Sequence, residues 1–585
     1  MTDSMYILEK IKINIAEEIN KALGNEVVKA SDFVYPPNPE LGDLSWTCFN
    51  KIKPGELAAE AFKLPQVKSA KWAGSYLNFI LDKKYFTENI IKEMEKGKGE
   101  YGENKNGGGK RAMIEYSNAN THKEYHVGHL RNIAYGDSVA RILAANGYKV
   151  IPVSYINDFG IHTAKTLWAL EKFFSAKGGN EKFPLPSPAV GGIKGGSKGY
   201  FLGKIYARAT KELAADPDAR KEVEEIMKKI ESRKGAEYKL WKKTREWSIE
   251  QFNEIYKELG VKFKNIFYEN EFMDKGLKII SGLLEKGILE KSEGAVIADL
   301  EGFDNLNVLV FLRSDGTALY PVADLPLAIE KIKKYKLDKS IYVVDVRQSL
   351  YFKQLFKVLE LMGYKKEMVH LGHEFVKLPS GMMSSRTGNV ITYEELRTEL
   401  LKKAKEETKK RHEGWNDKKI EEVAKKIMIG AMKFEMLKMG RLQTITFSVD
   451  EALQFNGFTA AYLQYTYARI RSIMRKSKIQ NPKSEINPKS KIKNSKLEDK
   501  KEHGLILKLA KYPEVVARAG ERYDPSEIAK YLFDLTQAFN DYYHVVPVLK
   551  AEDRTRKARL ALIGAVSQVI KNGLELLGIK TLEEM

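Results

Sequence analysis

Ala112-Met113-Ile114-Glu115-Tyr116 is followed by a helical pattern from about Val127 to Asn146, closed by Gly147, and then by Lys149-Val150-Ile151-Pro152-Val153. The first and last pieces are short and apolar and read as strands. The middle piece has helical spacing and stops at a glycine. Strand, helix and strand in so short a stretch make a βαβ unit, which implies a parallel sheet covered by helices. The theme returns as the strand Ile341-Tyr342-Val343-Val344, a helix from Tyr351 to Met362 and the strand Met368-Val369-His370-Leu371. The expected fold is therefore an α/β Rossmann-like parallel-sheet domain over residues 110–395, with insertions. One of these, at 180–200, is rich in Gly, Pro and Ser and reads as a loop.

Outward from this block the texture changes on both sides. Residues 1–100 read as a small α+β domain. Leu8, Ile11, Ile15, Ile19 and Ala22 recur at helical spacing before Gly24, and Ser75 to Ile80 is strand-like. Gly102 to Gly109 reads as a soft linker. Beyond about 395 strand signals vanish. Residues 396–455 read as a helical connecting region and 456–585 as an all-α C-terminal domain, with Leu562, Val566 and Ile570 as one stripe. Arg475 to Glu502 is Lys-rich and apolar-poor and carries Asn-Pro-Lys-Ser twice, so it reads as a disordered basic insertion.

Composition bounds the function. Of 585 residues, 43% are hydrophobic and 30% charged, which excludes disorder over the whole chain. The net charge of +20 points to a polyanionic partner, nucleic acid first. The single cysteine, Cys48, excludes disulfide scaffolds and Cys-based metal sites and reads as a small core residue. No apolar run is long enough to span a membrane, and the N-terminus lacks the apolar core of a signal peptide. The expectation is a cytoplasmic protein.

Two stretches carry chemistry. His126-Val127-Gly128-His129 stands after a strand and opens a helix. Free backbone N–H groups and the helix dipole there favour a phosphate, and Gly128 lets a ligand approach the backbone. Two imidazoles one turn apart can donate to phosphoryl oxygens as charge builds on them. Alone, such a pair reads equally as helix-capping or core histidines. Gly381-Met382-Met383-Ser384-Ser385-Arg386-Thr387-Gly388-Asn389 offers hydroxyls, a cation and glycines for a triphosphate, yet alone it reads as a polar surface loop. No third ligand is spaced to make the histidines a metal pair.

The two stretches together, in this order, resemble the H-x-G-H and K-M-S-K-S signatures of a class I aminoacyl-tRNA synthetase. The details are similar to the arginyl-tRNA synthetase family over nearly the whole chain. Ile114 through Arg131 is similar to that family's V-E-F-S-S-P-N-x-x-K-P-x-H-x-G-H-L-R, Tyr320-Pro321-Val322-Ala323-Asp324-Leu325 to its Y-x-x-x-D-L, and Asp345-Val346-Arg347-Gln348 to the strand end bearing its substrate glutamine. Tyr462 to Ile470 and Tyr531 to Leu549 resemble its helical anticodon-binding domain. Gly42-Asp43 and Gly74 to Phe79 resemble marks of its N-terminal tRNA-elbow domain. Met382 and Ser385 stand where the K-M-S-K-S lysines would be, and the resemblance assigns the missing charge to Lys123.

The resemblance implies an arginine–tRNA ligase that joins L-arginine to tRNA(Arg) using ATP and Mg2+, working as a monomer. Lys123, His126, His129, Ser384, Ser385 and Arg386 would be catalytic. His126, Gly128, His129, Met383 and Ser384 would bind ATP. Glu115, Asn120, Tyr320, Asp324 and Gln348 would bind arginine, because its permanent cation needs carboxylates shaped to its fork. The family generally activates arginine only with tRNA bound. Tyr462, Tyr465, Tyr542 and Tyr543 are candidate platforms for anticodon bases. Another class I synthetase and a tRNA-binding protein with a decayed site are the alternatives.

Overall fold

A computed structural model describes residues 5–48, 63–174, 197–216, 218–377, 391–480, 497 and 499–585. The N-terminal module comprises α1 (Ile7–Leu23), β1 (Phe33–Val34), β2 (Leu44–Thr47), β3 (Val67–Ala73), β4 (Tyr76–Leu81) and α2 (Lys83–Gly97). Its strands form one antiparallel sheet in the order β1-β2-β4-β3. Leu8, Ile11, Ile15 and Ile19 bury one face of α1. Gly24 ends the helix in the left-handed conformation at φ 70°, whereas Ala22, in the last turn, is exposed. Cys48 is buried. Gly42 has a structural reason: a Cβ there would lie 2.8 Å from the Phe79 carbonyl oxygen.

The linker expected at 102–109 is a correction. The Asn104, Gly107 and Gly109 amides donate to the carbonyls of Ala145, Asn146 and Gly147 at 2.8, 2.6 and 2.9 Å. A Cβ on Gly107 would collide with Tyr148 at 2.4 Å. Its glycines allow a close, hydrogen-bonded seat against the end of the next helix rather than looseness.

That helix belongs to the central domain, which runs β5 (Arg111–Glu115), α3 (Val127–Ala145), β6 (Lys149–Ile156), α4 (Ile161–Phe174), α5 (Lys198–Ala215), α6 (Ala219–Glu231), α7 (Gly235–Leu259), β7 (Asn265–Tyr268), α8 (Met273–Glu285), β8 (Glu290–Ser292), β9 (Ala295–Asp299), β10 (Val308–Leu312), α9 (Pro321–Tyr335), β11 (Lys339–Asp345), α10 (Ser349–Leu361), β12 (Glu367–His373) and β13 (Val376–Lys377). The expected parallel sheet is present as five strands in the order β12-β11-β5-β6-β7. Helices α4–α7 are inserted between β6 and β7. An antiparallel sheet of β8–β10 lies between β7 and β11. The loop expected at 180–200 falls largely outside the described residues, and residues 198–200 are already helical.

Helix α3 is not amphipathic. Fourteen of its nineteen residues are buried, on every side, which marks a helix packed between layers rather than on a surface. Gly136 allows this: a Cβ would fall 2.2 Å from Cγ of the buried Tyr116, just after β5.

The C-terminal part comprises α11 (Tyr393–Arg411), α12 (Asp417–Leu437), β14 (Ile445–Thr446), α13 (Val449–Ala452), α14 (Ala460–Gln480), α15 (Lys500–Arg522), α16 (Pro525–Val545) and α17 (Asp553–Leu576). Strands do not vanish entirely, because β14 pairs in parallel with β13. The basic insertion is narrower than 475–502: helix α14 continues to Gln480 and α15 begins at Lys500, capped by Asp499. Leu562, Val566 and Ile570 are fully buried. Among the described residues no helix is long and apolar enough to cross a membrane.

Gly136→Ala should lower the apparent melting temperature. Overpacking against Tyr116 costs ~1–3 kcal/mol, more than the ~1 kcal/mol that alanine returns in helix propensity. An unchanged or raised melting temperature in calorimetry would contradict the packing described.

Candidate active site

In the central sheet the strand sequence reverses direction between β5 and β11. An open parallel sheet leaves a crevice at the carboxyl ends of its strands at such a point. A cavity of about 1210 Å3 lies there. It is lined by nine of the residues singled out from the sequence: Glu115, Asn120, Lys123, His126, Gly128, His129, Tyr320, Asp324 and Gln348. Met383, Ser384, Ser385 and Arg386 lie outside the described residues. The chain resumes beside the histidines. Val127 donates to the Ile391 carbonyl at 3.2 Å and Tyr393 to the Tyr125 carbonyl at 2.8 Å.

The histidine pair differs from the sequence reading in one respect. His126 (φ −126°, ψ 173°) is the N-cap of α3, outside the helix. Its Nδ1 accepts from the Gly128 amide, and His129 Nδ1 accepts from the His126 amide, both at 3.1 Å. The first three amides of α3 are therefore taken rather than free for a phosphate: Val127 by the Ile391 carbonyl, Gly128 by the His126 ring and His129 by the His126 carbonyl. A ring whose Nδ1 accepts carries its proton on Nε2 when neutral. Burial, then the Lys123 charge, lowers the His126 pKa to about 4. Burial, then His126 and Lys123, drives His129 well below its usual value. The rings, 3.9 Å apart between centroids, are thus a neutral pair of Nε2–H donors at the cavity wall.

The turn between β5 and α3 is pinned. Ser117, at φ 59°, donates its amide to Asn132 Oδ1 at 2.6 Å, and its Oγ is bonded to the Tyr125 and Tyr256 hydroxyls. Asn120 pairs with Asn157 beyond β6. Two residues on, the buried His122 takes φ 62° and is held between the Thr121 and Thr244 hydroxyls at 2.9 and 2.8 Å. Lys123 follows, its Nζ 5.2 Å from the Tyr206 ring centroid.

The opposite wall is acidic. Glu115 ends β5 as expected, but its carboxylate is taken. Lys331 of α9, itself buried, forms an ion pair with it, and Asn118 donates to it at 3.2 Å. Its charge is thus partnered within the protein. Asp324 accepts from the Tyr351 hydroxyl at 2.5 Å; burial, then the Glu115 charge, raises it to about 6. A third carboxylate, Glu269, was not singled out from the sequence. It follows β7 at the same sheet edge, is buried, and accepts from Asn157 at 3.2 Å. Burial, then Asp324, raises it to about 8. Its turn is fixed by the buried Asp158, which accepts from the Asn270 amide at 3.0 Å and from Arg245 at 2.5 Å. Tyr320 stands at the mouth, 67% exposed, and Gln348 is exposed at the start of α10.

Of the four tyrosines proposed as base platforms, Tyr542 is buried and cannot stack on a base. Tyr462, Tyr465 and Tyr543 keep part of their surface. Among the described residues no group of three or more His, Cys, Asp or Glu is placed to hold a metal ion.

A cavity with a neutral donor pair at one wall and the Asp324 carboxylate at the other, with Glu269 bonded to the lining residue Asn157, is joined by likeness to known proteins. Residues 90–449 match the family model of the class I tRNA synthetase (R) catalytic domain, and residues 463–585 that of the DALR anticodon binding domain. The arginine–tRNA ligase of Bdellovibrio bacteriovorus is 35% identical over 590 residues, covering 96% of this chain and 95% of that protein. That of Halothermothrix orenii is 33% identical, covering 99% of each. The solved arginyl-tRNA synthetase of Thermus thermophilus superposes with a TM-score of 0.78 at 26% identity, over 99% of this chain and all of that one. The chain belongs to the arginyl-tRNA synthetase family of class I aminoacyl-tRNA synthetases.

Proposed function

We propose that this protein activates L-arginine with ATP and passes the arginyl group to the 3′-terminal adenosine of tRNA(Arg). The observation that carries this reading is the charge arrangement of the cavity. Burial and then the Asp324 charge raise the cost of ionising Glu269, burial and then the Glu115 charge that of Asp324, and Lys331 is paired with Glu115. One further cation, planar and permanently charged, fits that wall. Tyr320 closes the mouth over it, and Asn120 and Gln348 hold the α-amino and carboxylate groups.

The arginine carboxylate then attacks the α-phosphate of ATP in line, and pyrophosphate leaves. The protein contributes position and charge stabilisation, with no covalent step of its own. His126 and His129 donate from Nε2 to the phosphoryl oxygens, while Lys123 supplies the positive charge. Residues 383–386 would act on the same phosphates. Mg2+ arrives with ATP as part of that substrate, held by phosphate oxygens. A ribose hydroxyl of the terminal adenosine attacks the adenylate carbonyl, and AMP leaves. The N-terminal module takes the tRNA elbow and the C-terminal helices the anticodon. The enzyme works as a cytoplasmic monomer.

ATP–pyrophosphate exchange with each amino acid, with and without tRNA, is the direct test. Exchange with arginine alone, dependent on tRNA, is expected. Exchange with another amino acid would refute the pocket, and none at all, with tRNA still bound, would favour a decayed site.

The acidic wall adds a pH signature. A guanidinium binds the ionised carboxylates, so binding below pH 8 must expel a proton from Glu269. The KM for arginine should therefore fall roughly tenfold from pH 6.5 to 8, since one pKa unit is worth about a factor of ten. A flat profile would count against Glu269. Glu269→Gln should raise that KM by about 10- to 100-fold, the loss of a charge-assisted bond, and flatten the profile.

His129→Ala should lower kcat for exchange by about 10²-fold or more, the usual effect of removing a preorganised donor. The KM for arginine should stay near the unaltered value. An equal rise in KM would instead indicate a damaged pocket.

A further inference from the structure

Besides the α7 hydroxyls that hold His122, the helical insertion α4–α7 meets the segment ahead of His126 through α5. On α5, Gly199 and Gly203 lie four residues apart. A Cβ at 199 would meet Gln251 Oε1 and the Trp247 carbonyl at 2.5 and 2.7 Å. One at 203 would meet the Cγ and backbone of Glu124 at 2.6 to 2.9 Å. The glycines let α5 lie directly on α7 and on the residue after Lys123. Lys204 next to them bridges Glu124 and Glu395, both at 3.2 Å, tying the segment ahead of His126 to the first turn of α11. Tyr200 also donates to Glu395, at 3.4 Å. One turn on from Gly203, Tyr206 sets its ring under the Lys123 ammonium and lines the cavity.

We infer that Tyr206 is the positioning residue for Lys123, holding its ammonium at the histidine wall of the cavity through the face of its ring. This rests on Lys123 supplying charge to the phosphates. The glycine face fixes the distance between α5 and the Lys123–Glu124 backbone, and Lys204 stops the two from parting. The ring then limits a side chain that has four rotatable bonds. A lysine held in place stabilises the developing charge without reorganising in the transition state. The hydroxyl of Tyr206 has no part in this.

The test is ATP–pyrophosphate exchange by the full-length protein with tRNA present, comparing Tyr206→Leu, Tyr206→Phe, Lys123→Ala and the double variant Tyr206→Leu/Lys123→Ala. Tyr206→Leu should lose roughly three- to thirty-fold in kcat/KM for ATP, the range of a cation–π contact. The KM for arginine should stay within about twofold of the unaltered protein. Tyr206→Phe, which keeps the ring face, should recover the activity. In the Lys123→Ala background the leucine substitution should add nothing. Unaltered activity in Tyr206→Leu overturns the inference. So does the same fold-loss with Lys123 already removed, or a phenylalanine variant as impaired as the leucine one. Full activity in Lys123→Ala would overturn the role of Lys123 itself, and the inference with it. A loss in Lys123→Ala with none in Tyr206→Leu would leave that role standing and remove only Tyr206.

Discussion

The burial of α3 on every side is the constraint on which the rest of the structure depends. A helix enclosed in this way must find partners for most of the polar groups it carries. Arg131 is 1% exposed and donates to the carbonyls of Phe375, Arg441 and Gln443 at 2.9, 3.1 and 2.9 Å. It thereby ties the end of the sheet to the segment between α12 and β14. Asp137 pairs with the buried Lys433 at 3.1 Å, and Lys433 also donates to the Gly578 carbonyl at 3.0 Å. Gly578, at φ 68°, has no room for a Cβ beside that pair. Ser138 donates to the Leu576 carbonyl and Asn146 to that of Val516. The helix headed by the histidine pair thus also seats the C-terminal helices.

The cavity divides its electrostatic work. At the acidic wall burial raises both Asp324 and Glu269, Glu269 further under the Asp324 charge. On the proposed reading, selectivity comes from the cost of leaving these carboxylates unpaired, which a neutral amino acid cannot relieve. At the other wall the opposite solution holds. Lys123 and burial keep both imidazoles neutral, so they serve as dipoles aimed by their caps. A charged imidazole beside Lys123 would be the costlier choice. The Glu115–Lys331 pair at the acidic wall is buried, and the Lys331 charge also offsets part of the rise at Asp324.

What could be read in the sequence was local. The βαβ block, the stops at Gly24 and Gly147, and the histidines at the head of α3 all depend on neighbours within one turn or one strand. Partnerships across the chain could not be read. Lys331 lies 216 residues from Glu115, so the claim on that carboxylate leaves no local trace. Glu269 follows a strand of only four residues, after the helical insertion. The sheet-edge argument that singles out Glu115 applies to it equally, once β7 is known. The helix starts at Val127 as its pattern indicates, but the ring nitrogens that take up the Gly128 and His126 amides leave no mark in the pattern. At 102–109 the glycines signalled close approach, and close approach and looseness look alike in sequence.

The missing lysines at 382 and 385 take on a physical meaning in this setting. The family signature places positive charge on the segment that carries them. Here positive charge at the cavity comes from Lys123, with Lys165 of α4 also on its lining. Lys123 follows a histidine held at positive φ by two threonine hydroxyls, and precedes a residue clamped by Lys204. Backbone so fixed spends its ordering entropy on folding rather than on each turnover. On the proposed reading, a charge mounted there is preorganised for the transition state. Burial first, and the nearby Lys123 charge after it, make protonation of the two imidazoles unfavourable.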